Sequence, residues 1–170
     1  LIFDRLNRRK LDLIPEPEWA DPPKERIGEL LEAVRNRLAR AGIGIGIQGL
    51  MERLAEIGRE EGIELRLTSD VKHLEFGLTD KSDSVRYLLT VAAPGRNIEA
   101  TRVVFLGDEF GPIDGLEGSD YRMCGWEEPT YLSVGKEPNG VPEGVVHLGG
   151  GPKRFLEFLE QQACVHKTQD

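Results

Sequence analysis

The segment that most constrains the fold is the apolar run Val103-Val104-Phe105-Leu106, which stops at Gly107-Asp108. Branched and aromatic residues without polar interruption are typical of a strand that is buried on both faces of an α/β sheet. The first polar side chain, Asp108, then lies at the carboxyl end of that strand, where open α/β sheets place their ligands. The run therefore predicts a parallel-sheet layer with a functional edge at Asp108.

The loop after this strand is strongly acidic. It contains Glu109, Asp114 and Glu117, and it ends in Gly118-Ser119-Asp120-Tyr121. Carboxylates that share a loop repel one another unless they face solvent or a cation, and carboxylate oxygens suit Mg²⁺. The alternative is structural, with Gly-Asp ending the strand in a turn and Ser119-Asp120 beginning a short helix. We favour a metal site in which Asp108 and Asp120 are the ligands.

Lys81 is the candidate cationic residue of the site. It lies in Thr79-Asp80-Lys81-Ser82, at the predicted start of a helix. A lysine is disfavoured there because the amino end of a helix carries positive partial charge. The side chain is therefore either solvated or held near an anion that offsets this cost.

Composition excludes several classes of protein. The net charge of −8 argues against a general nucleic-acid binder, because phosphate contacts need a basic face. Cys124 and Cys164 have neither disulfide-framework nor zinc spacing, so we expect a reducing cytoplasm. No apolar run approaches the length of a membrane span, so we expect no membrane partner.

Hydrophobic periodicity divides the chain into two parts. Residues 1–78 read as an α+β lobe of two helices and two alternating strands, and residues 79–165 read as an α/β layer with buried strands. Residues 166–170 read as a tail. A Gly149-Gly150-Gly151-Pro152 turn opens the last helix, and its large apolar residues are expected to pack inward: Phe155, Leu156, Phe158 and Leu159.

The motifs together resemble the haloacid-dehalogenase-like phosphatases. Asp80-Lys81 opens a helix, an apolar strand ends at Gly107-Asp108, and Gly118-Ser119-Asp120-Tyr121 follows. The resemblance is closest to the branch with a large α/β cap, which includes phosphomannomutase, sucrose-phosphatase and the Cof-type phosphatases. It implies a Rossmann-like parallel-sheet core, present here in part, with an α+β cap lobe at residues 1–78. The chain looks like the cap plus the C-terminal half of the core.

The resemblance also assigns roles to individual residues. Lys81 matches the lysine that contacts the transferring phosphate, Asp108 matches the principal acid that binds Mg²⁺, and Asp120 takes the position of the second acid. These roles imply a Mg²⁺-dependent phosphomonoester hydrolase that acts on a sugar phosphate or a similar small metabolite. Substrate-contacting residues of the cap would then come from its strands, and the candidates are Arg66, His73 and Glu75. The structural alternative is that these charged side chains are simply solvated.

The sequence departs from this family in two respects. It contains no Asp-x-Asp, the motif that carries the nucleophile, and its loop between Asp108 and Asp120 is longer than in most relatives. We therefore expect the first half of the core to be absent from this chain. A non-catalytic or truncated module that binds a ligand or a protein partner is the alternative function, and a phosphomutase is a third. Half a core would leave a strand edge and an apolar face open, so we expect a homodimer or a missing N-terminal segment to cover them.

Overall fold

The computed structural model describes residues 2–5, 8–20, 22–137 and 139–167. These residues form two sheets, one antiparallel with four strands and one parallel with three strands. Helices accompany both sheets, so the mixed α/β class predicted from the sequence is confirmed. None of the helices in the described part of the chain is long and apolar enough to cross a bilayer.

The antiparallel sheet separates charged from apolar side chains. Its strands are β1 (Ile2–Arg5), β2 (Arg8–Asp12), β3 (Arg66–Ser69) and β4 (His73–Gly77), in the order β1-β2-β4-β3. Lys10 pairs with Glu75 across β2 and β4, and Leu11 pairs with Leu74. Since side chains alternate along a strand, one face is charged and the other is apolar. The sequence does not reveal β1 and β2. Charged residues dominate β2, and they do not alternate with apolar residues as in a half-buried strand.

Two amphipathic helices form the core of the first part. Helix α1 is Ile27–Arg40 and helix α2 is Gly46–Glu60. Leu30, Val34 and Leu38 recur every four residues on α1, and all three are buried. The other buried members of this helical core come from α2, the N-terminal segment and the turn before β4: Ile14, Trp19, Ile47 and Val71.

The second part is a parallel sheet with a helix packed on one face. It comprises α3 (Lys81–Tyr87), which continues as a π-helical turn (Leu88–Ala92), then β5 (Val104–Gly107), β6 (Thr130–Ser133), β7 (Val145–His147) and α4 (Gly151–Lys167). Phe105, Tyr131 and Val145 lie side by side on neighbouring strands and pack against Val85 and Leu89. The predicted strand that ends at Gly107 is therefore present, and Asp108 follows it directly.

The prediction for the closing helix is partly wrong. Leu156 and Leu159 are exposed by 58% and 45%, whereas Phe155 and Phe158 are half-buried. The pairs Phe155-Leu156 and Phe158-Leu159 together span a wide arc of the helix surface. One packing partner cannot bury all four side chains. Helix α4 extends through Lys167, and the rest of the predicted tail, residues 168–170, lies outside the described residues.

Candidate functional site

A cleft of about 460 Å³ opens between the charged face of the antiparallel sheet and the carboxyl end of β5. We call the sheet side the roof and the β5 side the floor. Arg8, Lys10, Thr68, Ser69, Asp70, His73 and Glu75 line the roof. Thr79, Asp80, Lys81, Ser84, Asp108, Glu109 and Ser119 line the floor. The structure thus brings the predicted residues Lys81, Asp108, His73 and Glu75 to one cleft.

The start of helix α3 is stabilised by side-chain hydrogen bonds. The Asp80 side chain accepts a hydrogen bond from the Ser82 backbone N–H at 2.8 Å, and the Asp83 side chain accepts one from the Asp80 N–H at 2.9 Å. This capping box satisfies backbone donors that the helix itself leaves unpaired. Lys81 is the first helical residue, and its ammonium group pairs with Asp120 and reaches the Ser119 hydroxyl at 3.1 Å. Asp120 is therefore the anion that offsets the unfavourable position of this lysine.

Asp120 connects the two ends of the floor. It is only 3% exposed, and its Oδ2 accepts hydrogen bonds from the N–H groups of Asp108 at 2.8 Å and Glu109 at 2.9 Å. Its other oxygen, Oδ1, receives Lys81. Both oxygens are thus engaged by protein donors, and one buried carboxylate fixes the Asp108 turn and the Lys81 side chain together.

Glycines allow this turn to pack closely. A Cβ atom on Gly107 would lie 2.2 Å from Asp120 Oδ2, and a Cβ atom on Gly135 would lie 2.0 Å from the Asp108 carbonyl oxygen. Neither distance is sterically possible, so a larger residue at either position would displace the turn. Gly107 was part of the motif found in the sequence. Gly135 was missed, because no local pattern shows that it approaches Asp108.

Glu109 places a further carboxylate close to the other acidic residues of the cleft. Its carboxylate accepts a hydrogen bond from the Ser119 hydroxyl at 2.7 Å. Burial raises the pKa of Glu109, and the neighbouring carboxylates Asp70, Asp108 and Asp120 raise it further, against the lowering effect of Ser119. A cluster of this kind is relieved by a proton or by a bound cation.

The roof is a network of mutually paired charges. Glu75 accepts from the Arg8 guanidinium at 3.3 Å and lies 3.4 Å from the Lys10 ammonium. His73 Nδ1 lies 2.8 Å from Asp70 Oδ2. Burial would raise the pKa of Asp70, but the hydrogen bonds and charge of His73, with Lys10, lower it overall. Arg8 and Lys10 were missed in the sequence because β2 was not located.

Arg66 lies apart from the other predicted roof residues. Its guanidinium donates to Glu64 at 3.0 Å and approaches Asp83 at 3.9 Å. It lines a smaller crevice beside α2 and not the main cleft.

Two acidic residues of the floor are candidates to hold Mg²⁺. Among the described residues, no group of three or more His, Cys, Asp or Glu side chains is placed to hold a metal. Mg²⁺ commonly takes only one or two protein carboxylates and completes its shell with water and substrate phosphate. Asp108 and Glu109, which are adjacent in sequence and line the same cleft, supply that number.

The fold and the site define a mixed α/β protein with a charged cleft at the carboxyl edge of its parallel sheet. No protein-family model matches the chain, and no curated protein matches it. One solved structure is similar, the N-terminally truncated, IMP-bound IMP-nucleotidase of Plasmodium falciparum, with 14% sequence identity and a TM-score of 0.35. The match covers 81% of this chain and 28% of the nucleotidase chain, so the chain spans little more than a quarter of that protein's length.

Proposed function

We propose that the chain forms the phosphate-handling part and the cap of a Mg²⁺-dependent phosphomonoester hydrolase of the haloacid-dehalogenase type. The observation that carries this proposal is the floor of the cleft. Lys81 and Asp108 line the same cavity, and the Asp120 carboxylate binds the side chain of one and the backbone of the other. The motif order that produced the resemblance in sequence therefore coincides with a spatial cluster.

Three floor residues and the buried Asp120 beside them have roles in the proposed phosphoryl transfer. Lys81 would stabilise the negative charge on the phosphoryl oxygens. Asp108 would hold Mg²⁺ as predicted from the sequence, but we assign the second ligand to Glu109 instead of the predicted Asp120, because both Asp120 oxygens already accept hydrogen bonds from protein donors. Mg²⁺, when bound, neutralises the same developing charge. Asp120 orients Lys81 and the Asp108 turn. An aspartate supplied from outside these residues would attack phosphorus and release the alcohol, and water would then hydrolyse the phosphoaspartate.

The roof supports a polyhydroxylated substrate such as a sugar phosphate. Arg8 and Lys10 provide hydrogen-bond donors, and Glu75 and Asp70 provide acceptors on the same sheet face. Because these charges already pair with one another, the roof has no large excess of positive charge for a second anionic group. Hydroxyl groups both donate and accept, so they match such a surface.

Phosphate binding by the full chain tests the proposal. We expect calorimetric titration with inorganic phosphate to give stronger binding in the presence of Mg²⁺. Lys81→Met should weaken binding about tenfold by removing a charge-assisted contact, and Asp108→Asn should remove the dependence on Mg²⁺. Lys153→Met is the matched control, because Lys153 is exposed on α4 and lies outside the cleft lining. Absence of phosphate binding by the unmodified chain with Mg²⁺ would overturn the proposal.

A non-catalytic binding module is the second candidate. The absence of Asp-x-Asp from the sequence favours it, as does exposed apolar surface on the parallel sheet at Val104 and Val146. In this case the cleft would bind a phosphorylated ligand in the cytoplasm, and a second copy or a further segment would cover the apolar surface. Phosphate binding without phosphate release from any sugar phosphate, even when a half-core that carries Asp-x-Asp is fused to the chain, would favour this candidate over the hydrolase.

A further inference from the structure

The long loop between Asp108 and Asp120 is a hairpin that we call the finger, residues 110–118. At its base the Asp120 N–H donates to the Glu109 carbonyl at 3.1 Å. At its tip Ile113 and Leu116 exchange two backbone hydrogen bonds, both of 2.9 Å. Asp114 and Gly115 have φ angles of 51° and 79°, the backbone of a tight Asp-Gly hairpin turn. The finger is thus a defined element whose base is the floor of the cleft.

The tip of the finger is seated in the helical core of the other part of the molecule. Ile113 and Leu116 are half-buried and pack against the cluster that contains Leu30 and Val34 of α1. The Asp114 carboxylate pairs with Arg35, which also belongs to α1. Apolar packing against this cluster and an ion pair with α1 therefore bind the finger to the first part of the molecule.

The same helical core also holds the ends of the roof strands. Ile14 follows β2, Val71 precedes β4, and both are buried members of the cluster. The Leu13 N–H donates to the Lys72 carbonyl at 2.9 Å, which ties these two strand ends together. The roof and the tip of the finger are consequently anchored in one body, while the base of the finger carries Asp108.

We propose that Ile113 and Leu116 are positioning residues that hold the Asp108 turn in register with the roof of the cleft. They do not line the cleft and act only through the finger. Such a connection fixes the separation of floor and roof. The free-energy cost of ordering the two sides is therefore small when a ligand that contacts both of them binds. The inference rests on the proposed function only for the identity of the ligand.

Hydrogen exchange measured by mass spectrometry on the full chain without ligand tests the connection. The amides to follow are those of Asp108 and Glu109, compared with the β6 amides of the same sample. In a double variant, Ile113→Ala with Leu116→Ala, we expect these two amides to exchange about tenfold faster relative to β6, because local opening is selectively favoured.

Leu31→Ala is the matched control. Leu31 packs against the same cluster from α1 but lies outside the finger. Its loss should lower stability while leaving the ratio of turn to β6 exchange unchanged. Equal ratios in the control and the double variant, or no change in the double variant, would overturn the proposal. Ile113→Val, a smaller truncation, provides the same comparison if the double variant does not fold.

A binding measurement separates this inference from the proposed function. We expect the double variant to bind inorganic phosphate with Mg²⁺ several-fold more weakly, and Leu31→Ala to bind it as the unmodified chain does. If the unmodified chain binds no phosphate, the proposed function fails, but the exchange ratio still decides whether the finger positions the turn.

Discussion

The two sheets differ in the chemistry of the face that does not pack against a hydrophobic core. The antiparallel sheet presents charged side chains to the cleft, and these are largely enclosed, with Arg8 only 16% and Glu75 only 23% exposed. The parallel sheet buries Phe105, Tyr131 and Val145 on one face. On the other face Leu132 of the central strand is buried, but Val104 and Val146 on the outer strands remain exposed by 39% and 52%. The first surface is a preformed polar network that lines a cavity, and the second is a partly exposed apolar face that carries Val104 and Val146, which we call the open face.

This difference leads us to propose two kinds of partner. Paired charges at the edge of a cavity are suited to a small polar ligand, which can exchange hydrogen bonds with them. Exposed apolar side chains on a sheet face are instead compatible with contact with another polypeptide. The exposed Leu156 and Leu159 on α4 add to the apolar surface of the second part. We expect substitutions to have the largest effect at a covered face, a smaller one in the floor and the smallest at the open face.

The largest effect is expected at a covered face. Leu74 lies on the apolar side of the antiparallel sheet and has no exposed surface. Leu74→Ala should lower the free energy of unfolding by about 2–5 kcal/mol, because it removes buried methyl groups and leaves a cavity. Urea denaturation at constant m-value measures the change. A loss well under 1 kcal/mol would mean that this face is not tightly covered.

The next effect concerns the packing of the floor. Gly107→Ala would place a methyl group 2.2 Å from Asp120 Oδ2, so either the turn or the carboxylate must move. We expect a loss of about 1–3 kcal/mol, as for other overpacked sites, together with weaker phosphate binding. Gly95→Ala is the control, since a Cβ there meets nothing within 4 Å. Similar stability losses in the two variants would show that the floor is not closely packed.

A smaller effect is expected from the acidic cluster. Because the pKa of Glu109 is raised in the folded protein, its charged form is penalised there, and stability falls as the pH rises through the raised pKa. Glu109→Gln keeps an acceptor for Ser119 and removes the charge. The variant should therefore melt at a higher temperature than the unmodified chain at neutral pH, and the difference should vanish below the ordinary pKa of a glutamate.

Thermal melts across this pH range, without divalent cations, measure the effect. A variant that is less stable at neutral pH would show that the Glu109 charge is favourably paired. Repeating the melts with Mg²⁺ sharpens the assignment, because a cation held by Asp108 and Glu109 should stabilise the unmodified chain more than the variant.

Local sequence patterns predicted the elements whose apolar residues form a continuous run or recur at helical spacing. The apolar run before Asp108 forms β5. Leu30, Val34 and Leu38, which recur at helical spacing, form the buried face of α1. The gathering of Lys81 and Asp108 at one cleft also follows from their places at a helix start and a strand end.

The missed features depend on pairing between distant segments. Strand β2 exists because it pairs with β4, more than sixty residues away, and its charged residues carry no local signal of a strand. The acidic composition of the finger predicts only a long loop, although Asp114-Gly115 is a sequence typical of a hairpin turn. Its tip is held by contacts with α1, which no local pattern reveals.

The smallest effect on stability, and the most direct test of the comparison, is expected at the open face. Val146→Asp should change the free energy of unfolding by less than about 0.5 kcal/mol in a monomer, because an exposed side chain loses little packing. If a second copy covers this face, the same charge would be buried on association, and the dimer would weaken strongly. Sedimentation equilibrium of the unmodified chain and the variant over a wide concentration range separates the two cases. A dimer that persists unchanged in Val146→Asp would place the interface elsewhere, whereas a monomer at all concentrations would leave the face for a different polypeptide.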